Sequence, residues 1–120
     1  METYAVILNL TQHPGIPEQG VFDLTGDDLA RLKTLLTFEE LPVTSEVEAR
    51  ADEIAVLATR LPVDQAMIGG APFLMAPLER ALEKVGIKPL YAFSRREVVE
   101  EVLTDGNVRK TAIFRHLGFV

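Results

Sequence analysis

Apolar positions along the chain fall into two kinds of run, short dense stretches and longer stretches of helical spacing, and the two alternate. Tyr4–Leu10 is a short apolar run with β-branched members that ends on Thr11-Gln12-His13 and the turn pair Pro14-Gly15, which predicts a buried strand. Val21–Leu24 predicts a second, shorter one. Thr25 stands three residues ahead of Asp28, a capping-box spacing with Asp in place of Glu or Gln. Leu29, Leu32, Leu35 and Leu36 follow at helical intervals, so a helix is expected over about 27–36. Thr44 and Ser45 are placed to cap a second helix whose inward face carries Val47, Ala51, Ile54, Ala55 and Ala58, with Pro62 beyond its end.

Gln65–Ile68 reads as the next strand and runs into Gly69-Gly70-Ala71-Pro72. A third helix is expected from about Pro72 to Val85, with Leu74, Leu78, Ala81, Leu82 and Val85 inward. Proline suits its first turn and Gly86 its carboxyl end. Lys88–Phe93 predicts a fourth strand with Ser94-Arg95-Arg96 at its tip. Asp105-Gly106, between the strand-like segments Glu97–Leu103 and Val108–Phe114, is a strong hairpin signal. Strand, helix, strand through the middle of the chain predicts one α/β domain over 1–120. The architecture is a three-layer Rossmann-like one: an open, mostly parallel sheet with right-handed crossovers, helices on its faces, and the C-terminal β-hairpin added antiparallel at one edge.

Composition narrows the function classes. The chain has 120 residues, 48% of them apolar, and no cysteine, so disulfides, thiolate nucleophiles and Cys-based zinc sites are excluded. The longest apolar runs, Tyr4–Leu10 and Ala71–Leu78, fall far short of a membrane span. No basic segment precedes an apolar one at the N-terminus, so a cytoplasmic location is the expectation. A net charge of −6 argues against coating duplex nucleic acid. The charge is uneven, however. Residues 1–60 carry eleven acids against four bases, and residues 61–120 carry seven against eight. A small anionic ligand is therefore better served by the second half. Arg109 and Lys110 are read equally well as a solvated face.

In open parallel sheets, ligands bind beyond the carboxyl ends of the strands. That rule selects Thr11-Gln12-His13, Gly69-Gly70-Ala71 and Ser94-Arg95-Arg96, which are expected to share one crevice. Gly69 and Gly70 allow close backbone approach at a helix start, whose free N–H groups suit a phosphate, although the same glycines also serve a plain turn. Gly-x-Gly-x-x-Gly spacing and a Walker lysine are both missing, so no dinucleotide cofactor or P-loop is indicated. His13 is usable as acid or base near neutrality, or acts only as a hydrogen-bonding turn residue. Arg95 and Arg96 offer planar forks for phosphate, but neighbours in an extended chain point opposite ways, so one of the two is expected to face the crevice. His13 and His116 are the only histidines, and no metal site is predicted.

Asn9-Leu-Thr-Gln-His-Pro14 with Pro17-Glu-Gln19, Ile68-Gly-Gly70 and Pro89-Leu-Tyr-Ala-Phe-Ser-Arg-Arg96, in this order and spacing, resemble the small stand-alone CRISPR-associated proteins of the CARF-like, ring-nuclease type. The resemblance implies a Rossmann-like homodimer that binds a cyclic oligoadenylate second messenger in antiviral signalling. It also implies metal-independent opening of the ring by the ribose 2′-hydroxyl. On that reading His13, Thr11 and Arg95 would serve the chemistry, and Gln12, Gly69, Gly70, Ala71, Ser94 and Arg96 would hold the ligand. A ligand with twofold symmetry suits a C2 dimer. The apolar chain end Thr111–Val120, with Phe114 and Phe119, is expected to pack on its own domain or to cover a partner. The other readings are a nucleotide or phosphate sensor without turnover, and an interaction domain whose polar tips only close loops.

Overall fold

The computed structural model describes residues 6–120. Four short parallel strands form the sheet: β1 (Ile7–Asn9), β2 (Val21–Asp23), β3 (Gln65–Met67) and β4 (Lys88–Leu90), in the order β2-β1-β3-β4. Each aligns residue for residue with its neighbour, Leu8 beside Phe22 on one side and Ala66 on the other. Three helices flank it: α1 (Gly26–Leu36), α2 (Thr44–Thr59) and α3 (Pro72–Lys84). A two-stranded antiparallel ribbon completes the chain, β5 (Ala92–Val102) paired with β6 (Val108–Phe119). The α/β class, the parallel sheet, the flanking helices and the C-terminal hairpin are thus as the sequence predicts. Of the expected strand Tyr4–Leu10, the first two residues lie outside the described part.

The core follows from the alternation of the strands. Leu8, Leu10, Ala66 and Ile68 point to one side of the sheet, and there they join Leu32, Leu35, Leu36, Ile54, Ala58, Leu74, Leu78 and Leu82 in one buried cluster. Full burial of a leucine is worth about 1.5–3 kcal/mol, so this cluster is the main stabilising term. The caps are simpler than the sequence suggests. Thr25 does occupy the N-cap of α1 but makes no side-chain capping bond, and Asp28 is paired instead with Arg60 of the chain just after α2 at 2.7 Å. Helix α2 begins at Thr44 itself, with Val43 as its cap.

The hairpin differs from expectation in place. It does not extend an edge of the parallel sheet but leaves from the carboxyl end of β4 as a separate ribbon. Tyr91 is the joint. Its N–H donates to the Val120 carbonyl and its carbonyl accepts from the Val120 N–H, both at 2.8 Å, so the chain end is tied to the last turn of the sheet. A register shift at Phe93/Ser94 then sets the course of the ribbon. The radius of gyration is 17.7 Å, against about 14 Å for a compact domain of this length. The ribbon accounts for the difference.

Candidate functional site

The loop after β1 is held by a buried polar knot. Asn9, at the last position of β1, is nearly inaccessible in an otherwise apolar strand. Its Nδ2 donates to the His13 carbonyl at 2.8 Å and to Asp23 Oδ1 at 2.9 Å. Its Oδ1 accepts from the Thr11 N–H at 2.9 Å and from the Thr11 hydroxyl at 2.7 Å. Asp23, at the end of the neighbouring β2, also accepts from the Gly15 N–H at 3.0 Å. Every hydrogen-bonding atom of the Asn9 amide is used, so the burial is compensated. A β-carbon at Gly15 would run into Val21 Cγ2, which leaves glycine as the residue that lets the loop turn back this tightly. Gln12 ties the loop outward, donating to the Thr37 hydroxyl at 3.2 Å at the end of α1.

This loop forms one wall of an open crevice of about 540 Å³ at the carboxyl ends of the strands. Thr11, Gln12 and His13 line it on one side, Met67 to Gly70 at its floor, and Tyr91 with Ala92 on the far side. Gly70 sits at φ +142°, a conformation that side-chain-bearing residues rarely adopt. Burial, and then the nearby Glu79 carboxylate, raise the Tyr91 phenol above its ordinary value, so at neutral pH it is a neutral donor and acceptor. A second cavity of about 190 Å³ shares Thr11, Gln12 and His13 and adds Asn9, Asp23 and Lys33. His13 is exposed, between the two. The similar-sized cleft between α1 and α2, about 560 Å³, is lined by Glu39, Glu40, Glu46 and Arg50. Its charge has a structural use: Arg50 donates to the Thr37 carbonyl at 2.7 Å, pairs with Glu46 at 2.8 Å and covers the Phe38 ring at 4.2 Å.

Two of the three expected tips meet in the crevice and the third does not. Residues 11–13 and 69–70 converge, while Ala71 turns to an adjoining cleft that it shares with Gln12, Phe38 and Phe73. Ser94, Arg95 and Arg96 are not a strand tip. The strand expected over 88–93 ends at Leu90, and the chain continues through Tyr91 into β5, which carries these residues out along the ribbon. Arg95 is paired with Glu97 at 2.7 Å, and Arg96 lies opposite Phe114. The wall they were expected to form is made by Tyr91 and Ala92. The cation beside the site is Lys33 of α1, from the acidic half of the chain. Sequence reasoning names Asn9 only within the motif that carries the resemblance and gives it no role, although a lone amide inside an apolar run is a visible signal. The Thr11 hydroxyl is engaged with Asn9, so its part here is to hold the loop. Among the described residues no group of three or more His, Cys, Asp or Glu side chains is placed to hold a metal ion, and no helix is long and apolar enough to cross a membrane.

Comparison with known proteins places the chain by family. The family model described as the uncharacterized protein MJ1673 family matches residues 5–120, and the chain belongs to that family. No curated protein and no solved structure matches it significantly.

Proposed function

We propose that the crevice binds a nucleotide-type ligand of the cyclic oligoadenylate class, and that His13 serves its metal-independent cleavage. One observation carries the reading: the loop after β1, the Gly69-Gly70 turn and Tyr91 converge on one cavity at the carboxyl ends of a parallel sheet. Its volume falls within the usual range of small-molecule sites, about 300–1,000 Å³. Tyr91 and the exposed Ile16 offer aromatic and apolar surface for a base, and the Gly69-Gly70 backbone admits a phosphate closely. Lys33 and His13 share the smaller cavity next door and supply the cation and the imidazole.

In the cleaving reaction the ribose 2′-oxygen attacks the adjacent phosphorus, and the bond to the 5′-oxygen breaks. The products are a 2′,3′-cyclic phosphate and a free 5′-hydroxyl. A proton leaves the nucleophile and another reaches the departing oxygen, a task suited to an imidazole, which can both accept and donate a proton. Lys33 is the charge available to the developing phosphorane, and the loop knot holds His13 in place. The sensor reading keeps the same crevice without this step, and is favoured by the absence of any arginine or lysine among the residues lining the main crevice.

The test is incubation with cyclic tri-, tetra- and hexa-adenylate in EDTA, followed for linear products, with calorimetric binding measured in parallel. Cleavage that His13→Ala lowers about 10²-fold with little change in affinity supports general acid–base catalysis. Binding without products leaves the sensor reading. If none of the three rings, AMP or inorganic phosphate binds, the crevice is no nucleotide site.

A further inference from the structure

The ribbon β5–β6 has two unlike faces. In antiparallel strands, residues directly opposite share a face and successive residues alternate. Arg95/Arg115, Glu97/Ile113, Val99/Thr111 and Glu101/Arg109 therefore lie on one side, and Ser94/His116, Arg96/Phe114, Val98/Ala112, Glu100/Lys110 and Val102/Val108 on the other. The first side satisfies itself. Glu97 is paired with Arg95 and with Arg115, and Glu101 with Arg109. Its apolar members are the more covered, Ile113 at 36% and Val99 at 46% exposure.

The second side is largely uncovered, apart from His116, which packs edge-on against Phe119 with ring centroids 4.9 Å apart. Phe114 is 71% exposed, Val102 74%, Val98 58% and Val108 54%. Among the described residues Arg96 has no carboxylate partner, and Glu100 reaches Lys110 only at 3.7 Å. An isolated two-stranded ribbon is marginally stable in water, and bare valines and a phenylalanine grouped on one face mark a contact surface.

We propose that this apolar face is the interface between two copies of the chain, packed face to face about a twofold axis that crosses the Val98/Ala112 row. The charge pattern selects this occupant, because it is complementary to itself. A twofold axis running across the ribbon at that row lays β5 over the partner's β5 in the opposite direction. Two residues before Val98 then stand over two residues after it. Arg96 therefore faces Glu100 of the partner subunit, and Glu100 faces the partner's Arg96. Phe114 lies over the stem of the partner's Lys110, the Ser94/His116 row meets the Val102/Val108 row, and Val98 meets its own copy on the axis. Shifting the axis by one row on this face to Glu100/Lys110 would set like charges over one another, so the pattern also fixes the register. From Ser94 to Val102 the face is about 26 Å long and 10 Å wide, so two such faces cover about 500 Å² of projected area in total, the scale of a weak, reversible association. The result is a small two-layer sandwich of four strands, the arrangement that gives an otherwise lone ribbon a core.

Light scattering on the full chain at micromolar concentration tests this, and a dimer is the expected result. Arg96→Glu and Glu100→Arg, made singly, place like charges in contact and should each raise the dissociation constant about tenfold or more. Combined, they exchange the two charges across the axis and should restore it to within about threefold of the parent. Val98→Asp should give a monomer, and Arg109→Gln, on the other face, should leave the dimer intact. A parent chain that is a strict monomer overturns the proposal. So does a dimer that either charge swap leaves unchanged, or one that the double swap fails to restore. Circular dichroism of each variant separates loss of association from loss of folding.

Discussion

Gly69 and Gly70 stand side by side in the crevice but have different physical reasons for being glycine. A β-carbon at Gly69 would lie 3.5 Å from Thr11 Cγ2, an ordinary contact, whereas Gly70 sits at φ +142°. Gly70→Ala should therefore cost about 1–3 kcal/mol in denaturant unfolding, and Gly69→Ala should stay within about 1 kcal/mol of the parent. Asn9→Ala removes both donors and the acceptor that order the loop after β1, and should cost about 1–3 kcal/mol by the same measurement. Tyr91 gives a spectroscopic handle. With its phenol raised by burial and by Glu79, ionisation should begin above the ordinary value of 10.0, and Tyr91→Phe should abolish that phase of the ultraviolet titration. The folded state holds this proton more tightly than the unfolded one, so its contribution to stability is complete below about pH 10 and is lost as pH rises through the folded value. At this scale the sequence was partly legible. His13, Gln12 and the glycines announce themselves by residue type at a strand end. The roles of Asn9 and Asp23 depend on two strand ends lying side by side, a fact no local pattern carries.

Elements were more legible than the joints between them. The helical spacing of leucines and alanines located α1, α2 and α3 to within a residue or two, because burying an apolar stripe leaves little choice of period. The contact between α1 and α2 was not visible. Beside the Arg31–Glu53 and Asp28–Arg60 pairs it uses Arg50, whose guanidinium meets the last carbonyls of α1, where the helix dipole favours a cation, while stacking on Phe38. Arg50→Ala should lower stability by about 1–2 kcal/mol in thermal unfolding, and lysine should recover less than half, since it keeps the charge but not the fork. The break at Tyr91 was equally hidden. Lys88–Phe93 and Glu97–Leu103 look like strands in the sequence, and nothing local says that the first leaves one sheet and enters another. The ribbon's charged face has its own pH signature. The Arg95 hydrogen bond chiefly, aided by Arg115, holds the Glu97 carboxyl below its usual range. A depressed value means that the ribbon's stabilisation by this cluster is present above the ordinary carboxylate range and fades as pH falls through the folded value. Fluorescence or exchange probes placed on the ribbon should report loosening in acid before the parallel core responds.

At the scale of the whole molecule, the body and the ribbon differ in what holds them. The body has one continuous apolar cluster, while the ribbon has ion pairs on one side and bare valines and a phenylalanine on the other. Hydrogen exchange measured at two protein concentrations should separate them. Ribbon amides should slow as concentration rises and association closes over them, and amides of β1 and β3 should hold their rates. The order of strands along the chain bears on how this body is made. Every pairing of the parallel sheet involves residues up to Leu90 only, and the ribbon takes up the rest of the chain. Parallel pairing is slow because it must close long loops, and a hairpin forms in about 1–10 μs. In refolding the hairpin therefore closes first, and the parallel sheet, whose strands lie far apart along the chain, sets the pace. The face proposed to meet a second copy thus takes shape before the body that will carry it.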